Sequence, residues 1–349
     1  MTAPADLPTD KLSVVLFGPG FGESVVVHIP PDDWLVVDSL LEPGTATNPA
    51  VEFLRRLKAE PTCLVLSHPH EDHAAGFDSL VAAQRRGPVG CVPLHLDSGD
   101  DVLAHQDAER AVRLGRARHA VAAVRGRWQA DASSQWQMRS GEEITLGSAR
   151  LTVLSPRREV VARASRGKSV DLNALSAALT ITWKAVRVVL GADLPATEWG
   201  KVVREDEAAR PGEHIGLKIP HHGSAAAQHA VLAHPNDGRT RTWAVTPWNR
   251  GATLPRFEDE EGIALLLTRV REVHLTSLPV ELRPPLGSRQ VTRTEVARRI
   301  ARRRFGGDDI VVEYDAPTPS AATSWVLASF DEDGTLTDIR LGPNAVTIM

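Results

Sequence analysis

The sequence predicts an α/β fold in which two β-sheets are faced by helices. Strand-like runs crowd the first part of the chain, a long helical stretch follows, and a second strand-rich part comes after it. Composition agrees, since 42% apolar and 24% charged residues in a chain of 349 describe a globular body and not a disordered one. Taken in order, residues 11–17 alternate densely in apolar side chains, break at Gly18-Pro19-Gly20, and resume over Ser24–Ile29. A turn at Pro30-Pro31-Asp32-Asp33 leads into residues 34–37, so the opening reads as a three-strand meander. Residues 48–59 place Val51, Leu54 and Leu57 at helical spacing and run into the short apolar strand Cys63–Leu66. Residues 107–128 read as a helix with Val112, Val121 and Val124 inward and Arg110, Arg113, Arg116, Arg118, Arg125 and Arg127 outward. Strands are expected at 143–154, 177–183, 186–190, 215–219, 242–245 and 273–276, with a helix over 260–271.

Pro284-Pro285-Leu286-Gly287-Ser288 reads as a linker or bend. It divides a main unit, 1–283, from a small α+β extension, 284–349, packed on it. The extension is expected to hold a basic helix over 294–304 and strands at 310–314, 324–330 and 336–341.

No apolar run approaches the roughly 18 residues of a membrane span, and Met1 precedes Thr-Ala-Pro-Ala-Asp, not a basic segment with an apolar core. A membrane partner and a secreted precursor are therefore not expected, and the expected compartment is cytoplasmic. Two cysteines, Cys63 and Cys91, frame no disulfide scaffold and no CxxC metal knuckle. A net charge of -4 gives no global attraction for polyanions, so any nucleic acid would have to meet a local patch. The arginine-rich segments read most simply as solvated helix faces.

The 13 histidines are unevenly spread. Ser67-His68-Pro69-His70-Glu71-Asp72-His73 follows an apolar strand directly, which puts its side chains at the carboxyl edge of a sheet. Imidazoles suit zinc, manganese or iron, and a carboxylate among them lets a second ion bind. Packing alone does not explain such crowding, because buried imidazoles need partners and repel one another when charged.

With His68, His70, Asp72 and His73 the chain matches the HxHxDH motif and resembles the metallo-β-lactamase superfamily. That resemblance implies a four-layer αββα sandwich and two divalent metal ions, Zn or Mn, held by His68, His70, Asp72, His73, Asp193 and His222. Asp38 ends the preceding strand as in that family, Asp193 closes Val188-Val189-Leu190-Gly191-Ala192-Asp193 as the bridging carboxylate, and His222 is the last ligand. His221 then becomes a substrate-facing or supporting group. The phrases Lys218-Ile219-Pro220-His221-His222-Gly223-Ser224, residues 17–24 and Asn173-Ala174-Leu175-Ser176 look like the soluble hydrolase domain of ComEC-type competence proteins and their stand-alone relatives. One departure stands out. Where most members place a third histidine on the first metal, this chain has Asn173, which can coordinate weakly through oxygen or hold a water. The first ion would keep His68, His70 and Asp193, a harder site that favours manganese; His95, His105 and His119 are substitutes only if the chain folds back.

The expected chemistry is hydrolysis by a metal-bridging hydroxide, with Asp72 orienting it. The superfamily core serves several substrate classes. Resemblance to a DNA-cutting domain, and Lys218 and Ser224 flanking His222 where they can contact phosphate, favour a phosphodiesterase or nuclease acting on nucleic acid or a nucleotide. Trp128, Trp136, Trp199 and Trp248 are candidates for base stacking, and the loop 246–251 can border the cleft. The alternatives are a hydrolase of a small ester, thioester or lactone, and a metal-weak effector completed by a protein partner or a second copy through the C-terminal extension.

Overall fold

The computed structural model describes residues 4–97, 108–205, 213–232, 241–249, 253–256, 262–277, 299–305, 308–314 and 324–349. Alternation along the first strands decides its layering. In β1 (Leu12–Phe17), Leu12 and Leu16 enter one buried cluster while Val15 and Phe17 enter another on the opposite face. In β2 (Ser24–Ile29) and β3 (Asp33–Val37), Val25, Val27, Leu35 and Val37 join the first cluster, and Val26 and Val36 the second. A strand buried on both faces needs a dense apolar run, and these segments carry one, interrupted by Ser13 and His28.

The Asn48 side-chain oxygen accepts the N–H groups of Ala50 and Val51 and so starts α1 (Pro49–Leu57), which ends at Lys58 in the left-handed region. Next come β4 (Cys63–Leu66), the single turn α2 (Glu71–Ala74), α3 (Phe77–Ala83), β5 (Val89–Cys91), α4 (Pro93–Asp97), α5 (Ala108–Ala130) and β6 (Gln135–Gln137). The outer face of this first sheet is covered by α1, α3 and α5 through Phe53, Leu54, Phe77, Leu80, Val121 and Val124. Each such buried side chain contributes roughly 2 kcal/mol. Arg116, Arg118 and Arg125 are exposed and Arg127 is half-buried; the side chains of Arg110, Val112 and Arg113 lie outside the described set.

The second half continues with β7 (Glu143–Leu146), β8 (Ala149–Val153), α6 (Arg158–Ser165), β9 (Leu179–Trp183), β10 (Val186–Leu190), α7 (Ala196–Glu205), β11 (Gly216–Lys218), β12 (Thr242–Val245), α8 (Ile263–Leu267) and β13 (Val273–Leu275). It ends with β14 (Arg299–Phe305), β15 (Asp308–Tyr314), β16 (Trp325–Phe330), β17 (Leu336–Leu341) and β18 (Val346–Ile348). The first sheet runs β17-β16-β1-β2-β3-β4-β5-β6, and the second runs β14-β15-β18-β13-β12-β11-β10-β9-β8-β7. One core lies between the sheets, and a third, around Trp199, Val202, Trp243, Ile263 and Leu266, packs α7 and α8 on the outside of the second sheet. The result is four layers: helix, sheet, sheet, helix. No described helix is long and apolar enough to cross a membrane.

Three expectations change. Residues 143–154 form a hairpin, not one strand, because Gly147 at φ 55 turns the chain where a Cβ would run into Asp33. The basic segment is strand, not helix, over Arg299–Phe305, paired antiparallel with β15; residues 294–298 and the linker 284–288 lie outside the described residues. Pairing with a neighbour overrides local propensity there. Among the described residues, the C-terminal strands join the two main sheets: β16 pairs with β1, and β18 pairs with β13 and β15.

Candidate metal centre

Strands β3, β4 and β5 run parallel in one sheet and β10 to β13 run parallel in the other, so the loops that follow their carboxyl ends gather at one edge. Asp38 follows β3, the histidine run follows β4, Asp193 follows β10 and His221-His222 follows β11. Backbone strain collects at the same edge. Of the six non-glycine residues at positive φ among those described, Asp38 (60°), Ala192 (44°), His221 (48°) and His222 (53°) are here. Backbone hydrogen bonds hold these turns: Glu23 N–H to Asp72 O at 2.9 Å, Ser39 N–H to His73 O at 2.8 Å, and His221 N–H to Ala192 O at 2.9 Å.

Each buried imidazole is fixed from behind, which leaves its Nε2 facing the centre. His73 Nδ1–H donates to Asp38 Oδ2 at 2.8 Å, and His222 Nδ1–H donates to the Thr246 carbonyl at 2.9 Å. Asp38 Oδ2 also accepts the Ser67 hydroxyl at 2.7 Å, and that oxygen lies 3.0 Å from His68 Nδ1. One carboxylate thus sets the tautomers of two histidines. In front, His68 Nε2 and His70 Nδ1 converge to 2.9 Å, with Asp193 Oδ2 at 3.9 Å from His68. Beside them, His222 Nε2 is 3.0 Å from Asp72 Oδ2, and His73 Nε2 is 3.5 Å from Asp72 Oδ2 and 3.3 Å from Asp193 Oδ1.

These atoms sort into two groups that could each hold an ion: His68, His70 and Asp193, and Asp72, His73, Asp193 and His222. Asp193 belongs to both. The residues fit divalent ions on a further observation: His73 Nε2 and Asp193 Oδ1 are buried without a hydrogen-bond partner, a cost that a bound cation removes. Electrostatics agree. Burial holds His68 well below the usual imidazole range, helped by His73 and His70. Burial opposes ionisation of Asp72 and Asp193, but His73 and His222 beside them keep both carboxyls below the usual range.

The remaining candidates divide. Asn173 sits in a 3-10 turn, Leu172–Leu175, with its Oδ1 buried and unpartnered. That turn is tied to the histidine run by the Ala177 N–H to Ser67 carbonyl bond. His95 is buried, hydrogen-bonded to the Leu175 backbone and pushed down to about 4 by burial, with Nε2 unpartnered. It does not join either ligand group. His119 is exposed on α5, and His105 lies outside the described residues. His221 is half-buried, with Nε2 3.9 Å from Asp193 Oδ2, and burial lowers its pKa. Ser224 is half-buried and closes the turn through its N–H to the His221 carbonyl.

Lys218 is a correction. Its ammonium is not at the surface to meet phosphate but buried, engaged by Glu23 and by the Ala192 carbonyl. Trp128, Trp136 and Trp199 are buried and offer no stacking face, whereas half-buried Trp248 lies 5.3 Å from the His222 ring and 5.2 Å from Phe21. Residues 250–251 of that loop lie outside the described residues. Sequence reasoning gave no role to Glu23 or Ser67; a buried lysine at the end of an apolar strand, which needs a counter-charge, was the available signal for Glu23.

Residues 17–148 match the Metallo-beta-lactamase superfamily. Over that stretch the chain is similar to the metallo-β-lactamase superfamily. Its two mixed sheets with helices outside form a metallo-β-lactamase fold, and the matched span contains Glu23, Asp38 and the whole histidine run. Asp193 and His222 lie beyond it. Among solved structures, the chain is similar to CmlA, a diiron β-hydroxylase from Streptomyces venezuelae, at 14% identity and TM-score 0.35, covering 70% of this chain and 36% of that one. A mutant of the β-hydroxylase CmlA gives 16% identity and TM-score 0.33, covering 71% and 37%. A protein of unknown function from Enterococcus faecalis gives 13% and 0.33, covering 60% and 49%. The chain thus spans about a third to a half of the length of these structures. No curated protein matches it.

Proposed function

We propose that this protein is a binuclear metal-dependent hydrolase that cleaves phosphodiester bonds in nucleic acid or a nucleotide, with Zn or Mn as its ions. The observation that carries the two-ion reading is Asp193, whose carboxylate belongs to both ligand groups. His68 and His70 with Asp193 would hold one ion, and Asp72, His73 and His222 with Asp193 the other. Two such ions lower the pKa of water and neutralise charge that develops on an attacked phosphoryl group.

The chain's own groups do the rest. Asp72, at the lip of the cage with its side chain 11% exposed, presents a carboxylate that can orient the attacking water. His221, half-buried and kept neutral by burial, can accept or return a proton at Nε2. Phe21 and Trp248 form an aromatic wall beside His222 that suits a planar base.

The test is hydrolysis of linear DNA, RNA and bis(p-nitrophenyl) phosphate with Mn, Zn or Mg, against His70→Ala and Asp193→Ala controls. Wild type should cut at least one and both variants none; turnover of a thioester or lactone alone overturns the phosphodiester assignment. Inward-facing Lys218 favours that second reading, a small neutral ester, because its buried ammonium does not reach a phosphate at the surface. An effector completed by a protein partner or a second copy would instead purify without metal and stay inactive after adding it.

A further inference from the structure

A third group of ligand-type atoms, from Glu23, Asp38 and His73, lies buried beside the two just described. It has the donors of a cation site, and a cation already faces it. Lys218, at the end of β11 in the second sheet, places its ammonium on Glu23 Oε1, which enters β2 of the first sheet. The same ammonium donates to the Ala192 carbonyl at 3.1 Å and stands 4.0 Å from Asp193 Oδ1. Glu23 Oε1 is in turn 3.5 Å from His73 Nδ1. One ammonium therefore reaches the residue before Asp193, Asp193 itself and, through Glu23, His73.

Burying such a pair is costly, and apolar replacements are often as stable, so stability alone does not account for it. Charge does. Glu23, Asp38, Asp72 and Asp193 are all buried carboxylates. Two divalent ions alone would bring the cluster to neutrality. With Lys218 present, one positive charge is left over to receive an anionic nucleophile or substrate oxygen. Resting on the two-ion reading, we infer that Lys218 is a permanent third cation of this centre, and that it and Glu23 are positioning residues setting how strongly the cage attracts metal. The Lys218 stem lines a cavity of about 30 Å³ with Val188, Phe330 and Ala244 between the sheets, an apolar setting that accommodates methionine.

The test is metal content and Mn and Zn affinity, measured by chelator competition on the reconstituted full chain, for wild type, Lys218→Met, Glu23→Gln and the double variant. Lys218→Met should bind metal about tenfold more tightly and Glu23→Gln about tenfold more weakly, since the freed ammonium then competes for Asp193. The double variant should return to near the wild-type value. A purely structural pair would move both single variants the same way, and that result, or no change in either, overturns the inference. If Lys218→Met does not fold, the double variant must still bind about tenfold more tightly than Glu23→Gln, and equality overturns the inference. Wild type without ions after reconstitution defeats the two-ion reading itself, whatever the variants do.

Discussion

Replacing Asp38 by Asn isolates the tautomer control described above. The change keeps size, and Asn tolerates the positive φ of 60° at this position, so the backbone is not perturbed. Oδ1 still accepts the Ser67 N–H at 2.7 Å, but an NH₂ now faces the Ser67 hydroxyl and His73 Nδ1, at 2.7 and 2.8 Å. His73 must then receive a hydrogen bond at Nδ1 and carry its proton on Nε2, the atom that faces Asp72 and Asp193. A hydrogen bond to a charged group is worth about 1.5–3 kcal/mol, or about 10- to 150-fold in binding. Loss of a supporting carboxylate behind a ligating histidine typically costs about 10–100-fold in metal affinity. Asp38→Asn should therefore bind one ion at least about tenfold more weakly, read by chelator competition and by metal content after dialysis. Two ions held within threefold of wild-type affinity would refute the reasoning.

Other outcomes follow from the same geometry. Asp193→Ala should release both ions together, because its carboxylate belongs to both groups, and metal content after gel filtration should fall to near zero. Trp248→Ala should raise KM for a base-containing substrate while leaving KM for bis(p-nitrophenyl) phosphate less affected, if the aromatic wall stacks a base; equal effects would count against it. His274, hydrogen-bonded to Thr347 Oγ1 at 2.9 Å between β13 and β18, is pushed down to about 4 by burial. Its folded pKa lies below the unfolded value, so its stabilisation is complete above about pH 6.5 and is lost as pH falls towards 4, by up to about 3 kcal/mol. Urea titrations at pH 7.5 and 4.5 should show a smaller difference for His274→Gln than for wild type.

Much of this arrangement was legible beforehand for local reasons. The histidine run is contiguous, so its chemistry is visible without the fold, and β1 to β4 carry the dense apolar runs that two-sided burial demands. Asp193 and His222 are marked only by family resemblance, through Gly191-Ala192-Asp193 and His221-His222-Gly223-Ser224. What escaped depended on distance. Glu23 and Lys218 lie far apart in sequence, and each alone is an ordinary charged residue, so nothing local marks them as a pair. A lysine near a ligand suggests an outward charge, and so a phosphate contact for Lys218, whereas β11 is buried throughout. The basic segment over Arg299–Phe305 pairs with β15, a choice made by its neighbour and not by its own composition.

The position of β16 has a consequence for biosynthesis. It seals the flank of β1 opposite β2, and the Ser13–Ser329 hydroxyl contact at 2.9 Å spans 316 residues. During translation the opening hairpin must wait, with one row of amides and carbonyls unsatisfied, until residues 325–330 have left the ribosome. The segment bearing the histidine run is made early but matures late, and a nascent chain stalled before residue 325 would be an adhesive edge and not a working half.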